Sequence, residues 1–349
     1  MFIVTIDSGT TNTRVRIWQD KRIIADACAA VGVRDSAKTG SQATLTAGIK
    51  DALDRALAQA EGCTLDRCAI VASGMITADV GLCPLPHLSA PVSVEQLANG
   101  AVARHIPAIA PQPIWFIPGV KNALPTVNLS NLDMMDVMRG EEVETFGLLA
   151  LQAVPGPAVI VLPGSHSKFV SIDRQQRIAA CATTMAGELL DALTHHSLLA
   201  GSLDRQFAAR LELDYLLQGA DACRRTGLSR ACFSVRLLDL FTAASHDQKA
   251  SYLLGVTLCA DIQAMKQSRA LALTPETRVV ISGKPILQQA LAALIAADPF
   301  FTADALLVDE DPARPLSCIG AIRVMEIIMR QAATPHASPS DAVSSGDSR

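Results

Sequence analysis

At 349 residues, half of them hydrophobic and 18% charged, the chain is long for one core and too apolar for disorder, so two lobes are expected. Thirty basic against 34 acidic side chains leave a net charge of −4, which argues against a nucleic-acid or membrane partner and suits an enzyme in solution. Nine cysteines without a C-x-x-C pair exclude a disulfide framework or a zinc knuckle. With no apolar run of membrane-spanning length and no signal-peptide pattern, the expected location is the cytoplasm.

Phe2-Ile3-Val4-Thr5-Ile6 predicts an apolar strand running into Asp7. The turn Ser8-Gly9-Thr10-Thr11-Asn12-Thr13 follows, and Arg14-Val15-Arg16-Ile17-Trp18 returns as an alternating strand. Such a turn suits a polyphosphate. Gly9 lets the backbone approach closely, N–H groups and hydroxyls face phosphate oxygens, and Asp7 can hold a hydrated Mg²⁺. No G-x-x-x-x-G-K-[ST] occurs, so this is not the strand-to-helix phosphate loop. An ordinary glycine hairpin between core strands has the same local pattern. Residues 22–27 predict a third strand. Residues 43–60 predict a helix, with Leu45, Ile49, Ala52, Leu53, Ala56 and Leu57 on one face. Cys68-Ala69-Ile70-Val71-Ala72 is a short buried strand stopped by Ser73-Gly74. The Pro-rich stretch 80–118 predicts a long loop or small subdomain.

The opening theme then recurs. A helix over 141–154 ends at Pro155-Gly156-Pro157. The strand Ala158-Val159-Ile160-Val161-Leu162 leads into the turn Pro163-Gly164-Ser165-His166-Ser167-Lys168, and Phe169-Val170-Ser171-Ile172 returns. Two such hairpins about a domain apart suggest a duplicated α/β unit with its phosphate turns facing across a cleft. Residues 186–267 read as mostly helical. Strands at 278–281 and 305–308, helices at 286–297 and 316–329, and a Ser/Pro/Ala-rich tail at 331–349, expected to be disordered, complete the chain.

The ordered set Asp7-Ser8-Gly9-Thr10-Thr11, Pro163 to Lys168, Ser282-Gly283 and Gly320-Ala321 resembles the superfamily of actin, sugar kinases and heat-shock chaperone ATPases. Within it, IDSGTTNTRV, SGMITADVGL with PHLSAPV, IPGVKN, DVMRGEEVETFG and LPGSHSKFV are similar to the 2-dehydro-3-deoxygalactonokinase family. The resemblance implies an α/β, two-lobed actin-like ATPase (ribonuclease H-like) fold with duplicated mixed-sheet domains around a nucleotide cleft. The expected lobes are 1–140, with helix 316–330 returning to it, and 141–315. It also implies ATP and Mg²⁺ as cofactors and transfer of the γ-phosphoryl group to the 6-hydroxyl of 2-dehydro-3-deoxy-D-galactonate, in galactonate catabolism. The partners are then ATP and a small sugar acid, with a homodimer left open.

On that resemblance Asp7 coordinates or positions the metal, and Ser8, Gly9, Thr10, Thr11 and Asn12 run along the β/γ-phosphates. Gly164, Ser165, His166 and Ser167 form the opposite phosphate turn, and Ser282, Gly283 and Lys284 border the adenosine. The chain departs from the commoner family pattern at Ser165, at Phe169, at Asp79-Val80-Gly81-Leu82-Cys83 and in the single glycine of the adenosine turn. Phosphoryl transfer also needs a carboxylate to orient or deprotonate the acceptor hydroxyl. Glu141 is the first candidate, Glu142 the second and Asp136 the reserve. Adjacent helical residues point about 100° apart, so at most one of the two glutamates faces the cleft. Glutamates in a first helical turn are also ordinary partners of the macrodipole. A sugar acid calls for a cation: Arg139 is preferred for its bidentate fork, followed by Lys168, His166 and Arg14, with His87 and Met75 as weaker sugar-side candidates. His195-His196 reads as helix surface. Three rival readings stand: an exopolyphosphatase or pppGpp phosphatase-type hydrolase, a nucleotide-binding regulator, and a kinase for another sugar acid.

Overall fold

The computed structural model describes residues 2–333. In chain order the first part holds β1 (Phe2–Ser8), β2 (Thr13–Gln19), β3 (Arg22–Ala29), α1 (Val33–Thr39), α2 (Ala43–Gln59) and β4 (Cys68–Gly74). It continues with β5 (Leu88–Ser89), α3 (Val94–Asn99), β6 (Val102–Arg104), β7 (Ile114–Phe116), β8 (Val120–Lys121) and β9 (Val137–Met138). After α4 (Glu141–Leu151) come β10 (Ala158–Leu162), β11 (Ser167–Ile172), β12 (Ile178–Thr184) and α5 (Ala186–His196). Then follow α6 (Leu213–Thr226), α7 (Leu228–Phe241), α8 (His246–Gln267), β13 (Arg278–Ser282), α9 (Pro285–Ala296), β14 (Leu306–Val308) and α10 (Leu316–Ala333).

Two of the sheets among the described residues repeat one plan. The first runs β3-β2-β1-β4-β7-β6 and the second β12-β11-β10-β13-β14. In each, a central strand pairs antiparallel with the strand after it and parallel with a later one. The parallel neighbours need crossovers, which α2 and the α5–α8 block supply. The central strands are buried on both faces, which is why β10 reads as an unbroken apolar run and β1 as one interrupted only by Thr5 before Asp7. Along β1, Val4 and Ile6 enter one core while Ile3 enters another, as the period of two requires. The stretch expected as a loop or subdomain at 80–118 contributes β7 to the first sheet and β6 to its edge.

A central core joins the two sheets through α4 and α10, with Phe146, Leu148, Val324 and Met325 all buried. The helices touch backbone to backbone. A Cβ on Gly147 would lie 2.0 Å from the Leu316 carbonyl oxygen, and one on Gly320 would lie 1.9 Å from that of Val143. Any larger residue must push the helices apart. Helix α10 carries three residues of the stretch expected as a tail (331–333); the rest of that stretch lies outside the described residues. No described helix is long and apolar enough to cross a membrane.

Candidate active site

The first hairpin is braced from behind. Gly9 N–H donates to Asn12 O at 2.9 Å, closing the turn. The Thr13 hydroxyl donates to Val31 O at 2.8 Å, so the 2.8 Å bond between Ser8 and Thr13 must use the Ser8 proton. The Ser8 hydroxyl, expected to address phosphate, is therefore buried and engaged inside the fold, and Gly9 to Asn12 form the open part of the turn. Asp7 sits at the end of β1. Desolvation raises its carboxyl above the ordinary range, while the Ser317 hydroxyl on α10 and the charges of Arg16 and Arg14 pull it back. Arg14 itself is half-exposed and lies 3.7 Å from Asp26, on the sheet and not in the cavity described below.

The second hairpin is held differently. Gly187, in the first turn of α5, rests against the Gly164 carbonyl, 1.9 Å from where its Cβ would be, and Glu188 N–H donates to Ser165 O. His166 is exposed and paired with Glu188 at 2.9 Å, and the Ser167 hydroxyl is buried beside Asp261. Both therefore differ from the phosphate contacts expected of them, leaving Gly164 and Ser165 as the open backbone. Gly283 packs on Pro163, so Ser282-Gly283-Lys284 does adjoin this turn; the Ser282 side chain is buried and Lys284 is exposed.

Both hairpins abut the N-terminal turn of α4. Glu141 accepts from Arg139 N–H at 2.9 Å and lies 3.8 Å from the Lys168 ammonium. Glu142 is fully buried, with both oxygens on Gly140 N–H at 2.9 and 2.8 Å; burial, then the charge of Glu141, pushes its carboxyl up to about 8. Glu144, which the sequence reading did not single out, lies one turn on from Glu141. Desolvation, then repulsion from Asp7, Glu141, Glu142 and Glu310, pushes it up to about 8. The clue was the i, i+3 spacing that puts Glu141 and Glu144 on one helix face.

Lys168 is buried, donating to Val137 O at 2.9 Å and to the Thr183 hydroxyl. That hydroxyl donates in turn to Asp136 Oδ1 at 2.9 Å, while Val137 N–H and Thr183 N–H occupy the same carboxylate. Both oxygens of Asp136 are taken up in joining β9 to β12, which removes it as the reserve base. Arg139 also departs from expectation. Nη1 donates to Thr77 at 2.6 Å, and Nη2 faces Leu85 O at 3.0 Å and His87 Nδ1 at 3.3 Å. Each bidentate edge of a guanidinium includes the nitrogen these contacts use, so no complete fork is left for a carboxylate.

Glu141, Arg139, Lys168, His87, Met75 and Asp79 line a cavity of about 660 Å³. Mg²⁺ prefers few protein oxygens and keeps waters and phosphates as its other ligands. Asp7, together with Glu144, whose carboxyl its charge helps to raise, is a donor set that suits such an ion. No three His, Cys, Asp or Glu side chains converge at metal-binding distance among the described residues.

The duplicated sheet pair, joined by α4 and α10, is the α/β architecture with repeated mixed sheets that the sequence led us to expect. Residues 7–309 match the family model of 2-keto-3-deoxy-galactonokinase, and the chain belongs to that family. It is 26% identical over 264 residues to the 2-dehydro-3-deoxygalactonokinase of Escherichia coli (strain K12), covering 75% of this chain and 80% of that one. A protein of Rhizobium meliloti (strain 1021), provisionally given the same name, is 29% identical over 202 residues, 57% of this chain and 58% of its own. A crystal structure from Sinorhizobium meliloti, also provisionally so named, superposes with a TM-score of 0.71 at 21% identity, covering 95% of this chain and 99% of that one. That likeness shows the fold. The chain is accordingly a sugar kinase, a phosphotransferase that uses ATP.

Proposed function

We propose that this kinase transfers the γ-phosphoryl group of MgATP to the 6-hydroxyl of 2-dehydro-3-deoxy-D-galactonate, a step of galactonate catabolism in the cytoplasm. The observation that carries this reading is that Glu141, on the wall of the cavity, lies 3.8 Å from Lys168 of one hairpin, while Gly74, packed on Gly140 at the start of α4, lies against Asp7 of the other. Glu141 is the carboxylate suited to orient and deprotonate the sugar hydroxyl, because it reaches the cavity while Glu142 is sealed under Gly140. Lys168, held by Val137 and Thr183, supplies positive charge as charge develops on the transferred group. Asp7, with Glu144, would hold Mg²⁺, which when bound neutralises charge on the β- and γ-phosphates. The backbone of residues 9–12 and 164–165 would line the triphosphate, and Ser282 to Lys284 the adenosine.

The names of relatives at 26% and 29% identity support the substrate class, and a cavity lined by Arg139 and Lys168 beside Glu141 suits an acid. The test is a panel of 2-keto-3-deoxy sugar acids with MgATP, following ADP. ADP formation should require a sugar acid and be fastest with the galactonate-derived one. Phosphate release from polyphosphate with no sugar present would replace this reading with the hydrolase. A faster reaction with another acid would move the substrate.

A further inference from the structure

Arg139 and His87 form one hydrogen-bonded unit on the cavity wall. The Arg139 guanidinium lies 3.3 Å from His87 Nδ1 through Nη2. A guanidinium has only donors, so His87 Nδ1 must be the acceptor and the ring proton must sit on Nε2. Nε2 finds no protein acceptor among the described residues, and His87 lines the cavity. Gly119 packs on the Cδ2–Nε2 edge of the ring, where a Cβ would lie 2.8 Å from Cδ2 and 3.2 Å from Nε2, so it is the missing side chain at Gly119 that leaves room beside Nε2. What remains is one neutral N–H donor of fixed direction. Burial first, then the charges of Arg139 and Lys121, hold the imidazole below its ordinary range, against an opposing pull from Asp79, so the neutral form persists into mildly acidic solution.

The unit is tied to the first hairpin. Arg139 Nη1 donates to the Thr77 hydroxyl, which donates to Gly74 O at 3.2 Å, and Gly74 is the register partner of Ser8. The loop bearing His87 is thus fixed to the strand end that presents the phosphate turn.

We propose that His87 is the specificity-determining donor of this kinase, giving its Nε2 proton to a carboxylate or carbonyl oxygen of the sugar acid, and that Arg139 is a positioning residue that sets the tautomer. This rests on the sugar-acid kinase reading, but its first test does not. In ¹⁵N-histidine-labelled protein at neutral pH, the signals lost in His87→Gln should be a bare Nδ1 and a protonated Nε2, and Arg139→Met should lose that pattern. A protonated Nδ1 in the unaltered enzyme overturns the proposal whether or not any sugar acid is phosphorylated. In kinetics, His87→Ala should raise the sugar KM about tenfold or more, the order of one lost hydrogen bond, with the ATP KM unchanged. His87→Gln, whose amide N–H takes the place of Nε2, should restore most of it. Arg139→Met should raise the sugar KM with the ATP KM unchanged. Equal sugar KM values in His87→Ala and the unaltered enzyme would also overturn it.

Discussion

The two hairpins share a plan and differ in what stands behind them. The β1–β2 turn ends a strand with a carboxylate, Asp7, and its hydroxyls at Ser8 and Thr13 are turned inward to brace it. The β10–β11 turn has no carboxylate; it is propped by α5 through Gly187 and followed by the buried cation of Lys168. One copy of the unit has kept the acid, suited to a metal, and the other a base, suited to phosphate. Duplication gives two equivalent turns, and the asymmetry around them gives a direction to the chemistry.

The sharpest break of that comparison is at Asp7. Asp7→Ala should lower kcat by on the order of 10³ or more with the fold intact by circular dichroism, and survival within a few fold would remove the first hairpin from the chemistry. At the other turn, Lys168→Met should cost about 10²-fold in kcat, the scale of a lost transition-state charge partner. If its loss appears only in stability, Lys168 is a strut between β9 and β12 and the asymmetry fails. Between the turns, Glu141→Gln should lower kcat by about 10²-fold or more and Glu142→Gln by only a few fold. Equal effects would erase the distinction between the exposed and the sealed glutamate.

Glu142 makes a smaller, pH-dependent prediction. Its carboxyl is raised from 4.5 to about 8 in the folded chain, so between those values the native state binds more protons than the unfolded one. Stability contributed by the neutral group is complete below pH 4.5 and declines as pH rises through 8. Melting temperature should fall between pH 5 and pH 8, and Glu142→Gln should flatten that fall, raising the midpoint at pH 8 and leaving it nearly unchanged at pH 5. A steeper fall in the variant would contradict the burial argument.

Local chemistry made much of this legible in the chain. The strands Phe2–Ser8 and Ala158–Leu162 are apolar runs ended by turn residues, and α2 carries its core face at i, i+3, i+4 spacing. Three-residue strands such as β6 and β7 offer no period to read, so the 80–118 stretch read only as a long loop or small subdomain. The helix Val33–Thr39 has no apolar stripe; its start is fixed by Asp35 accepting from Gly32 N–H. In the site, residue types were legible and partners were not. Nothing local says that Arg139 will be occupied by Thr77, Leu85 and His87, or that Thr183 will take up Asp136, because those partners lie 47 to 62 positions away.

The account depends on both turns closing on one nucleotide. Hydrogen–deuterium exchange with and without a non-hydrolysable MgATP analogue reads this directly. Amides of residues 9–12 and 164–167 should slow together, at the same analogue concentration. Protection at one turn with the other unchanged at saturation would contradict it.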